Sequence, residues 1–422
     1  MITGIRTART KTARPVILNV SWFLILMVLF PIAVFSQTSP FLDSLLKSGL
    51  TTYSNVLSQP NKYKLQVIYT QINRDKNNDP SFREYKFHLN KNYFYPASVV
   101  KLPVSLVALL KLQSLSDKGV GLETTMITDS AFYCQKKICI DTTTQSDFPT
   151  VGNYIRKMLL VSDNAACART YEFVGSDYLH AKLEELGYKD IRILNRLDGS
   201  CPGDTAKITP PVYFLNEKKD TIYKQPLTFS DYKKTHPVES SKVGKKPNGE
   251  KDFARHNYLP LQDLHDIMRR IVFNDHLKGE DKLPLTEENR KFMLKELGKM
   301  PKESEYPKYD KKTYYDSFKK YFIYGSAVAT VKSDTIRIFN IVGRAYGFLL
   351  DCAYIVDYKN KVEFLLTSSI YVNERNIVGS GRYEYDQIGL PFFRDLSRLI
   401  YSYERQRPKK HEPDLKEFDF FR

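Results

Sequence analysis

Apolar residues recur every three or four positions from Phe41 to Leu57 (Leu42, Leu45, Leu46, Leu50), the period of an amphipathic helix. Short apolar runs follow at Lys64–Thr70 and Phe82–Leu89, and both read as strands. From Ser98 to about Leu115 the pattern is helical again, through Val100, Val104, Leu106, Val107 and Leu110. Pro103 is an irregularity in that helix, because it cannot donate an i to i−4 bond. Helical segments broken by polar loops are predicted at 151–160, 165–174, 177–187, 260–273 and 286–298. Strand-like runs return at 335–342, 350–357 and 362–371, and Lys359-Asn360-Lys361 turns the last two into an antiparallel hairpin. A helix from Asp386 to Tyr403 and a charged tail, 405–422, close the chain.

Strands at both ends with helices between them predict an α/β (α+β) fold. One antiparallel sheet is built from 37–97 and 305–404, and a helical subdomain, 98–304, is inserted between its halves. A cleft is expected where the two meet. Within the helical part, 213–257 holds ten Lys or Arg against six Asp or Glu, with Pro226, Pro237, Pro247, Gly244 and Gly249, the composition of a solvated basic insertion.

The 422 residues are 42% hydrophobic and 27% charged, which excludes collagen, a wholly disordered chain and a small disulfide scaffold. Residues 1–36 carry Arg6, Arg9, Lys11 and Arg14, no acid, and an apolar run from Val16 to Phe35 ending near Ser36, the pattern of an export signal. An uncleaved membrane anchor is the rival; Asn19 and Pro31 weaken a spanning helix and favour cleavage. Either way the body of the chain is expected outside the cytoplasm, in the periplasm or cell envelope, with membrane contact only if that segment is retained. The net charge of +16 falls to +12 without those four basic residues. It is dispersed, so no nucleic-acid partner is expected. In an oxidising compartment Cys134 and Cys139 form a candidate disulfide around a short loop, with Cys167, Cys201 and Cys352 as buried structural cysteines.

No GxSxG, P-loop, GxGxxG, HExxH or CxxC pattern occurs, so the search narrows to a nucleophile that needs no metal or cofactor. Ser-x-x-Lys occurs at Ser44, Ser98, Ser230 and Ser317, but only Ser98 stands at a strand-to-helix junction and opens a strongly apolar helix. Ser98 and Lys101 are one turn apart on a shared face, where a partly desolvated lysine can take the serine's proton. Backbone N–H groups at the helix start can stabilise an oxyanion. Ser162-Asp163-Asn164, the only such triplet, reads alone as a helix cap, and with Ser98-x-x-Lys101 lying 64 residues upstream as a second catalytic element.

In order, spacing and setting these motifs resemble the penicillin-recognising serine hydrolases, most closely class A β-lactamases, over roughly 41–404 outside the basic insertion. The resemblance implies a β-lactamase/transpeptidase-like fold, with Ser98 as acylated nucleophile and Lys101 as its proton-handling partner. Ser162 would relay a proton to the departing nitrogen, and Asn164 would bind substrate and hold Lys101. The family's Lys-Thr/Ser-Gly strand aligns with Asn340–Tyr354, where Gly343, Gly347, Asp351 and Ala353 suit the pattern, but Ile341 replaces the lysine. Arg344 is the candidate partial substitute, and Gly343 and Arg344 are expected to line the substrate site. Lys47-Ser48-Gly49 and Lys242-Val243-Gly244 lie in the wrong places to serve.

Asn195-Arg196-Leu197-Asp198 resembles the loop carrying the deacylating acid, with Pro202-Gly203-Asp204 and Thr209-Pro210 at its end. Asp198 stands where glutamate is expected, one methylene shorter, in a compressed segment, so acylation is expected to survive better than deacylation. The expected function is that of an exported serine hydrolase, acting through a Ser98 acyl-enzyme on β-lactams or related peptide-like amides, without cofactor. A cell-wall or peptide amidase or peptidase, and a catalytically impaired envelope binding module, are the alternatives.

Overall fold

The computed structural model of the chain describes residues 1, 38–89, 93–234, 242–246, 249–327 and 335–421; the expected export segment, 1–36, lies outside them apart from Met1. The helix expected from Phe41 to Leu57 divides into α1 (Pro40–Gly49) and α2 (Ser54–Ser58). Pro40 occupies the first turn of α1, where its missing N–H has no intrahelical partner to lose. The hairpin of β1 (Gln66–Arg74) and β2 (Pro80–Phe87) then leads to α3 (Lys101–Gln113) and β3 (Thr125–Thr128). Three helices follow, α4 (Val151–Val161), α5 (Asn164–Val174) and α6 (Ser176–Glu185). Six short strands come next: β4 (Ile208–Thr209), β5 (Val212–Leu215), β6 (Thr221–Gln225), β7 (Thr228–Phe229), β8 (Lys242–Lys246) and β9 (Gly249–Asp252). The chain continues through α7 (Leu261–Phe273) and α8 (Glu287–Gly298) to β10 (Ile336–Ala345), β11 (Phe348–Asp357), β12 (Val362–Tyr371) and α9 (Leu390–Gln406).

The two ends of the chain build one antiparallel sheet in the order β10-β11-β12-β1-β2, joined where Gln66–Gln71 pair with Ser369–Phe364. Its strands β11 and β12 are buried along their whole length, because both sheet faces are covered. One face packs Val67, Ile338, Val342 and Phe364 against Leu42 and Leu46 of α1 and Phe393, Leu396 and Ile400 of α9. The other packs Phe339, Ile341 and Tyr354 against the helical part, through Leu264 and Met268 of α7 and Leu294 of α8. Thus β10, an edge strand, sends odd-numbered side chains toward the inserted helices and even-numbered ones toward the terminal helices. Arg74 and Glu363 form a doubly hydrogen-bonded ion pair inside the sheet, and Tyr354 Oη donates to the same carboxylate at 2.7 Å.

Three expectations change. The stretch 213–257 is not a plain solvated loop: β5 pairs with β3 and β6, and Phe214 in it is fully buried, as is Phe253 just after β9. Its alternating apolar residues find a sheet edge despite the surrounding lysines. The charged tail is anchored, since Phe418 is fully buried against Tyr354 and its carbonyl accepts from Tyr358 Oη at 2.7 Å. The disulfide joins Cys134 to Cys201, not to Cys139, across a Cα–Cα distance of 5.1 Å. Reciprocal bonds between Thr128 and Ile138 pin the strand-like stretch at Cys139 beside β3, leaving Cys139 a free thiol. Cys167 and Cys352 are buried and free, as expected, whereas Cys201 is the bonded partner.

Among the described residues no helix is long and apolar enough to cross a membrane.

Candidate active site

Ser98 is presented by a strained turn. Tyr93–Pro96 are buried, and a 3-10 turn, Ala97–Val100, continues into α3. Ala97 has φ +49, a left-handed conformation that crowds any side chain, and the chain reverses there so that Ser98 points out. From Tyr93 to Leu110, Ser98 is the one residue that is not buried. Because the start of the helix is a 3-10 turn, Pro103 falls in the first turn of α3, where a missing N–H is tolerated.

Lys101 is fully buried, and its Nζ lies 2.9 Å from Ser98 Oγ, 3.0 Å from Ser162 Oγ, 2.7 Å from the Ser162 carbonyl and 2.6 Å from Asn164 Oδ1. All four partners are neutral. Burial without a carboxylate partner brings the Lys101 pKa down to about 8, with the charge of Lys319 contributing. A neutral amine has a lone pair for the serine proton, so this environment favours the form that can act as a base.

The Ser162-Asp163-Asn164 triplet divides its work. Ser162 closes α4 with φ +64, and this left-handed turn aims both its carbonyl and its hydroxyl at Lys101. Asp163 does cap α5, accepting from Ala166 N at 2.8 Å. Asn164, the first residue of α5, is thereby placed with Oδ1 on Lys101. Cap and site element are both realised, by different residues of one triplet.

Gly343 lets β10 close on this turn. A Cβ there would stand 2.6 Å from the Pro96 carbonyl and 3.3 Å from Ala97 Cβ. Gly343→Ala is expected to push strand and turn apart, costing about 1–3 kcal/mol of stability and lowering the Ser98 acylation rate at least ~10-fold. Chemical denaturation and acylation kinetics check this, and an unchanged acylation rate counts against the contact being functional. Arg344, expected on the substrate side, is not there. It is exposed on the opposite face of β10, over the Tyr385 ring at 4.3 Å, as the period of two along a strand requires. Ile341 is buried in the core shared with the helical part.

In the 195–202 loop, Arg196 is buried, donating to Glu172 Oε1 at 2.7 Å and to the Ile208 carbonyl at 2.8 Å. Asp198 is exposed, and its carboxylate accepts from Ser200 N at 3.0 Å and Ser200 Oγ at 2.7 Å. It borders a cavity of about 670 Å³ shared with Asp163, Ala166 and the disulfide. Asp198 is thus near the triplet but is not among the partners of Lys101. Among the described residues no group of three or more His, Cys, Asp or Glu is placed to hold a metal ion.

A sheet assembled from both chain ends, with a Ser-x-x-Lys turn facing a Ser-x-Asn turn across its edge, is the arrangement of the penicillin-recognising serine hydrolases. The chain belongs to the β-lactamase enzyme family, whose family model matches residues 52–403. Among solved structures, it is similar to a β-lactamase from Sphaerobacter thermophilus at 13% identity and TM-score 0.47, covering 86% of this chain and 98% of that one. A β-lactamase from Xanthomonas campestris pv. campestris gives the same four values. A class A β-lactamase from Mycobacterium abscessus gives 13% identity and TM-score 0.46, covering 86% of this chain and 97% of that one. No curated protein sequence matches the chain.

Proposed function

We propose that the protein is an exported serine hydrolase that opens a β-lactam or a related amide through an acyl intermediate on Ser98. The observation that carries the reading is Lys101 Nζ held between Ser98 Oγ and Ser162 Oγ with neutral partners only. Neutral Lys101 takes the Ser98 proton as Oγ attacks the carbonyl carbon. When the tetrahedral intermediate collapses, the C–N bond breaks and Ser162 passes a proton to the nitrogen while taking one from Lys101. Water then cleaves the Ser98 ester, releasing the acid and restoring the hydroxyl.

Asp198 occupies the sequence position of the deacylating acid, but its bonds to Ser200 keep it within its own loop. Deacylation is therefore slow and the acyl-enzyme long-lived. The same feature favours a second reading, a binder that traps its ligand covalently with little turnover. Export, to the periplasm or envelope, is supported by the basic and apolar 1–36 segment and by the Cys134–Cys201 disulfide.

The test is intact mass of the purified protein after incubation with a penicillin, beside Ser98→Ala. A persistent adduct of the penicillin's mass, absent from Ser98→Ala, is the expected result. If no adduct forms at any time and the penicillin survives, β-lactams are excluded and the amidase or peptidase reading takes their place. The same spectrum reads whether residues 1–36 are gone.

A further inference from the structure

Away from the nucleophile, at the other end of α4, lies a second cavity. It holds about 740 Å³, a volume typical of small-molecule sites, and opens between the first turn of α4 and the chain that ends and follows α8. Along α4, Asn153 stands roughly 15 Å from the Ser162 turn, so this is a separate place on the molecule.

The charges around the cavity cancel. Glu123, Glu303 and Glu305 are matched by Arg156, Lys295 and Lys299. Arg156 donates to both carboxylate oxygens of Glu123. Lys299 donates to Glu296 Oε1 at 2.7 Å, and Arg337 to Glu303 Oε2 at 2.8 Å. Lys295 and Glu305, of opposite sign, remain exposed. A balanced surface gives neither an anion nor a cation a net attraction, so the ligand it suits is neutral.

The lining is nonetheless rich in hydrogen-bonding groups. Asn153 is fully buried, and its Nδ2 donates to Asp141 Oδ2 at 3.1 Å and to Thr143 Oγ1 at 3.0 Å. Its buried Oδ1 has no hydrogen-bond partner among the described residues, a costly state until a donor reaches it. Thr144, Gln145 and Ser146 add neutral donors and acceptors. The aromatic member is Tyr306, 48% exposed and with no ring against it among the described residues. Glu305 and Tyr306 also line an adjoining cavity of about 550 Å³, with Thr142, Thr143 and Lys308. The Tyr306 ring thus offers an apolar face at the junction of two polar cavities, which together have room for several linked rings. A pyranose has the complementary surfaces, C–H groups on its face and hydroxyls on its edge.

We propose that this groove binds a neutral oligosaccharide, with one sugar ring stacked on Tyr306. The proposal stands whether or not Ser98 is reactive, because the groove is built from other residues. A free oligosaccharide and a stretch of an uncharged polysaccharide share this chemistry.

The experiment is calorimetric titration of the full chain with three neutral tetramers, those of N-acetylglucosamine, cellotetraose and maltotetraose, beside tetraalanine as a peptide of similar length. At least one tetrasaccharide is expected to bind one-to-one. Its affinity falls at least ~10-fold in Tyr306→Ala and stays within about threefold of the parent in Tyr306→Phe, which keeps the ring. Ser98→Ala binds it as the parent does. Co-sedimentation with the matching insoluble polymer (chitin, cellulose or starch), lost in Tyr306→Ala, assigns the site to a polysaccharide, and tetramer binding without co-sedimentation assigns it to a free oligosaccharide. Either result supports the groove as a sugar site. No binding of any tetrasaccharide, equal binding of tetraalanine, unchanged affinity in Tyr306→Ala, or equal losses in Tyr306→Ala and Tyr306→Phe overturns the proposal.

Discussion

Replacing Lys101 by methionine will leave a folded protein whose Ser98 is acylated roughly 10³- to 10⁴-fold more slowly than in the parent chain. Methionine keeps the length and much of the volume of the side chain, so the fully buried site stays filled. What is lost is the atom within 2.9 Å of Ser98 Oγ that can take its proton, and no other described base touches that hydroxyl. The stability cost is about 1–3 kcal/mol, because Ser162 and Asn164 lose a shared donor while no charge is stranded. The parent enzyme's acylation rate rises with pH through about 8, where buried Lys101 gives up its proton and becomes the base. In Lys101→Met that limb disappears. Rates of adduct formation followed from pH 6 to 10 decide the matter, and a parent profile falling with pH would reverse the assigned direction of proton transfer.

Removing the disulfide will cost about 4 kcal/mol of stability, the chain-entropy value for a closure across 67 residues. The bond ties the segment beside β3 to the loop that holds Asp198, and Gln135 Nε2 donates to the carbonyl of Ile208, beyond that loop, at 3.0 Å. A Cys134→Ser, Cys201→Ser double variant removes both bonded sulfurs together, so neither is left to pair with Cys139. Its denaturant midpoint is expected to fall to that of the reduced parent, with the acylation rate within about threefold, because Ser98, Lys101 and Ser162 lie on other elements. Coincident midpoints for oxidised parent and double variant would show that the loop is held without the bond.

The parts that were legible in the sequence are those in which local pattern and tertiary position agree. The apolar period of 151–160 and 260–273 survives as α4 and α7, since a helix must bury its stripe wherever it packs. Ser98-x-x-Lys101 was separable from the three other tetrads because a buried run of helix follows it, and Ser162-Asp163-Asn164 because it closes one helix and opens the next. The failures are places where distance in sequence misleads. Cys139 is the near neighbour of Cys134, but the bridge between Thr128 and Ile138 turns the intervening chain away, and Cys201 is the one within reach. Arg344 looked useful in sequence because a strand's two faces are not distinguished until its register is known. In 213–257 the excess of lysine hid Phe214 of β5, whose burial depends on an edge offered by β3 far upstream.

The pairing of β1 with β12 also sets a schedule. A ribosome releases Ser98, Lys101 and the Ser162 turn long before it releases Gly343, the residue whose strand must seat against Pro96 to shape the cleft. For most of synthesis the nucleophile belongs to a half-sheet with an unpaired edge at β1, and the loop-closure entropy of that long-range pairing is met only when the last strands emerge. The cleft beside Ser98 is therefore completed only when the last strands of the sheet have been made.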